Sequence, residues 1–272
     1  MSELDGQVVW ITGASSGIGA ALAREFSRQG AAIVLSGRDT ARLEDVSEDL
    51  AGDRLILPFD VRDEAAMLKA TQDAVGWRGR VDVFIANAGV SQRSLAKDTG
   101  LPVYREIIET DLLAQIAATQ ALLPHLIARQ AGRLVFISSI AGKMGVPLRT
   151  AYCAAKHGLI GYADALRAEL SPYGVAVHVV CPGSVATDVS RNALTADGSR
   201  RGHSDSAIDN GIPPDEAARE IAAGIVAGQR EIIVARGPEQ MMGETRRTPD
   251  AVFDQMARMM AEGYARKMQG ER

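Results

Sequence analysis

The chain has 272 residues, 46% of them hydrophobic, with 30 basic against 34 acidic side chains and a formal net charge of -4. That is enough chain for one substantial core, since single cores grow to roughly 250 residues. The slight acidity argues against a nucleic-acid phosphate backbone as the main partner, because such binders carry a clustered basic surface. Only Cys153 and Cys181 are available for disulfides, so no disulfide framework is expected. The acidic start and the lack of any apolar run near ~18 residues predict a cytoplasmic protein with no transmembrane segment.

In chain order, short runs rich in β-branched residues fall at residues 7–12, 31–36, 54–58, 81–86, 133–138, 175–180 and 231–234. They are apolar almost throughout and do not alternate, the pattern of strands covered on both faces, and helical periodicities separate them. Ile18, Leu22 and Phe26 recur four apart after the first run, and Leu159, Tyr162, Leu166 and Leu170 share one helical face. Alternating strands and helices predict an α/β fold: a doubly wound, parallel, seven-stranded, Rossmann-like sheet with helices on both faces, in a single domain over residues 1–272.

Residues 103–129 are long for one crossover helix, and Ile107, Ile108, Leu112, Ile116, Leu122, Leu123 and Leu126 give a broad apolar stripe. Such a helix is expected to bury against both the sheet and a subunit partner. Residues 187–214 are rich in Gly, Ser, Asp and Asn without periodicity, which predicts a substrate loop that is a lid or disordered. From Pro249 onward, Val252, Phe253, Met256, Met259, Met260 and Tyr264 predict a helical tail over residues 249–268. Its apolar face is expected on a subunit surface or over the substrate; an interfacial membrane helix and ordinary packing on the protein's own core are the alternatives.

The first strand runs into Thr12-Gly13-Ala14-Ser15-Ser16-Gly17-Ile18-Gly19 and then a helix. Small residues there let a phosphate approach backbone N–H groups and the helix N-terminus. At the first strand-to-helix turn of an alternating chain this predicts a dinucleotide site, against the plainer alternative of a turn kept small for tight packing. Further on, Tyr152 and Lys156 stand four apart at the start of a helical pattern and so project from one face. A phenol is a weak acid at neutral pH, and a nearby ammonium favours its phenolate. Ser139, thirteen residues before Tyr152 at a strand end, supplies a hydroxyl able to hold a substrate oxygen during proton transfer. His125, His157, His178 and His203 lack paired ligand spacing, so no metal site is expected, and Cys153 reads as a small packing residue.

Thr12-Gly-x-x-x-Gly-x-Gly19, Asn87-Ala88-Gly89 after the fourth strand, Ser139, Tyr152-x-x-x-Lys156 and Pro182-Gly183-x-x-x-Thr187 resemble, in order and interval, the motif set of the short-chain dehydrogenase/reductase family. Residues 89–94 and 190–194 are similar to bacterial members of the dehydrogenase/reductase subgroup related to membrane-associated hydroxysteroid dehydrogenases. The resemblance implies a nicotinamide cofactor held by Gly13, Ser15, Ser16, Gly17, Ile18 and Gly19, with Asp60 and Val61 at its adenine. Asn87, Ala88 and Gly89 would border it, and Pro182, Gly183 and Thr187 would lie at the nicotinamide, with Thr187 bonding the amide. It also implies that Tyr152 exchanges a proton with a carbonyl or secondary alcohol held by Ser139, that Lys156 binds the nicotinamide ribose, and that the protein assembles as a homodimer or homotetramer.

Two positions refine that expectation. No acidic side chain stands near Gly37 at the end of the second strand to bind ribose hydroxyls, whereas Arg38 offers a planar fork to a 2′-phosphate, which points to NADP(H); a solvated surface arginine is the alternative. Where the family carries an asparagine in the central helix, this chain aligns Asp111, whose charge would stabilise Lys156 as a cation while opposing negative charge on Tyr152. The function expected is an NADP(H)-dependent oxidoreductase acting on a small, moderately apolar alcohol or ketone. A non-catalytic NADP(H)-binding regulator, favoured by Asp111, and an oxoacyl-thioester reductase are the alternatives. The expected substrate pocket comprises residues 91–94, 145–149 and the loop from Thr187, with Arg93 and Arg149 either meeting an anionic substrate or solvated.

Overall fold

The computed structural model describes residues 4–264. Its strands are β1 (Val8–Thr12), β2 (Ala32–Gly37), β3 (Arg54–Pro58), β4 (Val83–Ala86), β5 (Gly132–Ile137), β6 (Val175–Pro182) and β7 (Glu231–Val234). They form one seven-stranded sheet in the order β3-β2-β1-β4-β5-β6-β7, every neighbouring pair parallel. The chain winds outward from β1 to β3, returns to the middle, and winds the other way from β4 to β7. A crevice therefore opens where β1 and β4 diverge at their carboxyl ends, the place where doubly wound sheets receive ligands.

The unbroken apolar strands have a physical basis in the two faces they serve. Val9 and Ile11 of β1 point into a layer with Leu22, Phe26, Ile221 and Ile225. Val8 and Trp10, one residue out of phase, point into the opposite layer with Phe84, Phe136, Leu122 and Leu159. Side chains alternate across a strand, so a strand covered on both sides must be apolar at every position. Helices α1 (Gly17–Arg28) and α8 (Pro214–Val226) belong to the first layer, and α3 (Glu64–Arg78) and α6 (Thr150–Leu170) to the second. Only β3, at the sheet edge, is partly exposed along its length.

The long central segment is helical throughout but not uniform. Helix α4 (Leu101–Ile108) passes through one π turn (Glu109–Leu113) into α5 (Ala114–Arg129). Leu122 and Leu126 face the sheet, whereas Leu113 is 46% exposed on the outer side. A π turn inserts one residue into the helical ladder, a distortion that recurs at functional sites, and here it carries Asp111.

Two expectations change. Residues 187–214 are neither disordered nor without secondary structure: Leu194 bridges to Gln92 and to Arg200, Val185 bridges to Ile212, and a short helix α7 (Ser206–Asp209) follows. Asp205 secures the segment, accepting from Arg93 Nε at 2.7 Å and Ser190 Oγ at 2.8 Å, and pairing with Arg201. Arg93 is thus a buried structural cation, neither solvated nor facing the cavity, and Arg149 lies 3.7 Å from the same carboxylate. Helix α9 (Gly237–Thr245) precedes the expected tail, which forms α10 (Asp250–Ala261). Phe253 is buried under the Arg167 guanidinium, 4.1 Å from its ring centroid, so this face packs on the protein's own α6, the plainest of the alternatives. Val252 and Met256 stay exposed, and residues 265–268 of the expected tail lie outside the described residues. No described helix is long and apolar enough to cross a membrane.

Candidate active site

The crevice holds a cavity of about 510 Å³ lined from Arg38 and Asp60 at one end, past Gly13, Gly17 and Asn87, to Ser139, Tyr152, Lys156 and Thr187 at the other. That is within the range of small-molecule and cofactor sites. Backbone geometry shapes the turn after β1. Gly13 and Gly17 have φ of +65° and +54°, and a Cβ on Gly13 would stand 2.8 Å from the Ala88 Cα. A Cβ on Gly19 would collide with the Gly13 carbonyl. Ser16 caps α1 in an extended conformation without a side-chain bond to the helix, which leaves the first N–H groups of α1 for a ligand. These are the features a pyrophosphate requires, so the residues present fit a dinucleotide.

Thr12 and Asn87 hold that turn in place. Asn87 Nδ2 donates to the carbonyls of Thr12 at 2.9 Å and Gly13 at 3.1 Å, and the N–H groups of Asn87 and Ala88 donate to Thr12 Oγ1 at 3.1 and 3.2 Å. Asn87 thus works on the glycine turn as well as lining the cavity. Gln115 of α5 donates to the Ala88 carbonyl at 2.6 Å, a support that sequence reasoning did not find because nothing in the motif pattern marks it.

At one end of the cavity, Arg38 is exposed and 3.9 Å from Asp60, which is engaged mainly by Arg62 at 2.7 Å. The hydrogen-bonded Arg62 guanidinium holds the Asp60 carboxyl below its ordinary range, outweighing partial burial. Arg42, Arg62 and Asp39 line the same end and were not anticipated. Asp39 is spoken for, since its carboxylate caps α2 (Thr40–Glu48) by accepting from the Arg42 N–H at 3.2 Å. The available signal was the local spacing Asp39-x-x-Arg42, which reads as a helix start.

At the opposite end, Tyr152 and Lys156 rise from the first turns of α6 as their spacing predicts, the ammonium 5.6 Å from the phenol ring centroid. Lys156 is buried and donates to the Ile137 carbonyl at 3.0 Å. Its second partner is Asp111 Oδ2 at 3.2 Å, with side-chain exposures of 4% and 0% for the two residues. Asp111 Oδ1 accepts from the Val90 N–H at 2.8 Å, and a Cβ on Gly89 would come within 2.9 Å of Oδ2, so the missing side chain makes room for the carboxylate. Burial pulls the Lys156 ammonium toward deprotonation, but Asp111 and Tyr152 together outweigh it and hold the lysine above its ordinary value. For Asp111 the balance falls the other way: burial raises its pKa despite the neighbouring cation and the Val90 bond.

Ser139 closes the group. It follows β5 in an extended conformation, its Oγ accepting from the Ala141 N–H at 3.1 Å and reaching toward the Pro182 carbonyl at 3.4 Å. Adjacent Ser138 donates from Oγ to the Lys156 carbonyl at 3.0 Å, which joins the end of β5 to the helix carrying Tyr152. Asp188, Asn192, Leu194, Arg200 and Ile208 of the ordered 187–214 segment also line the cavity; without periodicity, nothing in the sequence singled out which side of that segment faces inward. Cys153 is buried, its Sγ accepting from the Val146 N–H at 3.3 Å. Burial pushes the Cys181 thiol up to about 12.

Residues 7–198 match the sequence profile of the short chain dehydrogenase family. "Dehydrogenase/reductase SDR family member 7B" of Xenopus laevis is 39% identical over 241 residues, covering 85% of this chain and 75% of that protein. A metagenomic short-chain oxidoreductase solved in complex with NADP is 30% identical, with a TM-score of 0.71 over 86% of this chain and 98% of that one. A short-chain dehydrogenase/reductase from Burkholderia phymatum, solved with NAD, shares the fold with a TM-score of 0.77 at 21% identity, over 86% and 90% of the two chains. With its profile matched from the first strand to the end of the motif set, this chain belongs to the short-chain dehydrogenase family.

Proposed function

We propose that this protein is an NADP(H)-dependent oxidoreductase that interconverts a carbonyl and a secondary alcohol on a small, moderately apolar substrate, and that it works as a homodimer or homotetramer. The observation that carries this reading is the convergence of Ser139, Tyr152 and Lys156 on one cavity that runs continuously to the glycine turn and Arg38. The NADP complex of the 30% identical oxidoreductase supports the cofactor assignment. Leu113, exposed at the π turn on the outer side of the central helix, and the half-buried Ile108, Leu112, Ile116 and Leu123 of the expected stripe support association.

When bound, the nicotinamide supplies or takes up the hydride. The protein's part is to hold and protonate oxygen. Ser139 is half-buried, and its hydroxyl can turn from the Pro182 carbonyl to donate to a substrate oxygen. Tyr152 gives that oxygen its proton in reduction and takes it back in oxidation. Lys156 has three N–H donors; it donates to the Ile137 carbonyl and stands in an ion pair 3.2 Å from Asp111 Oδ2, which leaves donor capacity for a ribose hydroxyl. Its positive charge favours negative charge on the Tyr152 oxygen, and Asp111 tempers that effect. The regulator reading draws on the same tempering, and turnover by the wild type decides against it.

Tyr152→Phe is expected to abolish turnover of any alcohol or ketone the wild type accepts while leaving NADPH affinity within about twofold, because the ring still packs but exchanges no proton; steady-state rates and fluorescence titration read the two effects, and a variant with near wild-type rates contradicts the acid/base role. Arg38→Ala is expected to weaken NADPH by about tenfold or more and NADH by only a small factor, as charge-assisted hydrogen bonds to phosphate are strong. Calorimetry checks this, and equal losses for both cofactors would remove Arg38 from 2′-phosphate recognition. Asp111→Asn takes a negative charge away from Lys156 and Tyr152, so the alkaline-side midpoint of the oxidation rate should move to lower pH; that midpoint belongs to the coupled Tyr152, Lys156 and Asp111 network. A rise in the midpoint, where a solvent isotope effect shows proton transfer to be limiting, goes against the assignment.

A further inference from the structure

Beyond the motif set, α9 makes an attachment at the nicotinamide end of the cavity. After Pro182 the chain leaves β6: the Gly183 N–H still bonds the Val234 carbonyl at 2.9 Å, but Ser184 turns its N–H out of the sheet. The group that receives it is Glu239, in the first turn of α9. One carboxylate oxygen accepts from the Ser184 N–H at 2.7 Å and the other from Ser184 Oγ at 2.9 Å. Both oxygens of a charged acceptor are therefore used on one residue, an arrangement that fixes orientation as well as adding strength. The carboxylate also lies against Gly183, where any Cβ would collide with it. Gly183 thus leaves room for the Glu239 carboxylate and for Ala235, whose Cβ would stand 3.0 Å from an added Cβ.

The far end of α9 is fastened to the Ser139 segment. Gly243 packs against Ile140, whose Cδ1 would be 2.8 Å from an added Cβ. Beyond the helix, the Arg246 carbonyl accepts from Lys143 Nζ at 3.1 Å, and the same ammonium pairs with buried Glu231. Ile140 and Lys143 follow Ser139 directly through one turn of 3₁₀ helix. One short helix thus grips the Gly183–Ser184 turn at its start and the segment after Ser139 at its end. Glu239 does not line the cavity, so any effect it has passes through the backbone it holds.

We propose that Glu239 is a positioning residue: it holds the Pro182, Gly183 and Ser184 turn in the shape that receives the nicotinamide half of the cofactor, in fixed relation to Ser139. The proposal rests on the cofactor reading above and goes beyond it by assigning the C-terminal α9 to the site. A general loss of stability would weaken every ligand alike. Loss of this brace weakens only what touches the turn, and the adenine half of the cofactor lies at the other end of the cavity.

The test compares two ligands on the full-length protein: NADPH, which reaches the turn, and adenosine 2′,5′-bisphosphate, which does not. In Glu239→Ala, NADPH affinity by calorimetry should fall about tenfold or more, the scale of a charge-assisted hydrogen bond pair, while the bisphosphate stays within about twofold. Glu239→Gln keeps an acceptor for the Ser184 N–H and should recover most of the loss. Ser184→Ala leaves the carboxylate and removes only the hydroxyl bond, so it should show the same selective loss at smaller size, and it serves in place of the first variant if that one does not fold. Unchanged NADPH affinity, or equal weakening of both ligands, overturns the proposal. A wild type that binds neither ligand overturns the cofactor reading instead, an outcome distinct from a wild type that binds both and a variant that behaves like it.

Discussion

The site depends on one buried ion pair. Lys156 and Asp111 face each other at 3.2 Å with almost no exposure to solvent, and each would be costly alone, since an unpaired buried charge loses its hydration without compensation. Because the two residues come from different helices, their pairing fixes distances that motif spacing cannot. Asp111 sits on the π turn between α4 and α5, Lys156 on α6, and the Val90 N–H that satisfies the other carboxylate oxygen belongs to the turn after β4. The cofactor loop, the central helix and the helix of Tyr152 are thereby held against one another. Gly89 admits the carboxylate, and Gly158, where a Cβ would meet Leu112 at 3.0 Å, lets α6 approach the π turn.

Around this pair, charge is arranged differently at the two ends of the cavity. The end of the cavity at Arg38 presents Arg38, Arg42 and Arg62 on exposed or half-exposed surface, where ion pairs such as those with Asp60 and Asp39 are weak. At the other end the charges are buried and paired, Lys156 with Asp111 in the cavity wall and Lys143 with Glu231 behind the segment after Ser139, so they fix the surrounding backbone. The 187–214 segment follows the same rule. Asp205 is drawn well below the ordinary carboxylate range by Arg201, Arg93 and Ser190, against the effect of its partial burial, and through it the segment is tied to the loop after β4.

Much of this was legible in the sequence, and the reason is local. Strand positions followed from apolar runs that must fill two faces, the glycine turn from spacing that tolerates no side chain at Gly13 or Gly19, and the Tyr152 and Lys156 pair from one turn of helix. What escaped depended on contacts between segments far apart in the chain. Asp111 was noticed as a departure from the family pattern, but its direct bond to Val90 and its burial under Gly89 are properties of the folded chain. The order of residues 187–214 comes from Asp205 meeting Arg93, which stands 112 positions away, and no periodicity announces such a pairing. Glu239 and Arg42 were missed for a related reason: each is an ordinary charged residue near a helix start, and only the approach of Ser184 or of the cavity gives it a role. The packing of the tail on α6 was not legible because its apolar spacing is the same whether it covers a partner, a substrate or α6.

Asp111 and Lys156 act as a coupled pair inside the fold and not as two independent polar residues. A double-mutant cycle on stability tests it most directly, with Asp111→Asn, Lys156→Met and the double variant unfolded in denaturant. Removing either partner alone leaves the other buried and uncompensated, which typically costs about 3–5 kcal/mol. Each single variant is expected to be strongly destabilised, and the double variant to lose much less than the sum of the two. Losses that add within about 0.5 kcal/mol, the behaviour of independent sites, would contradict it.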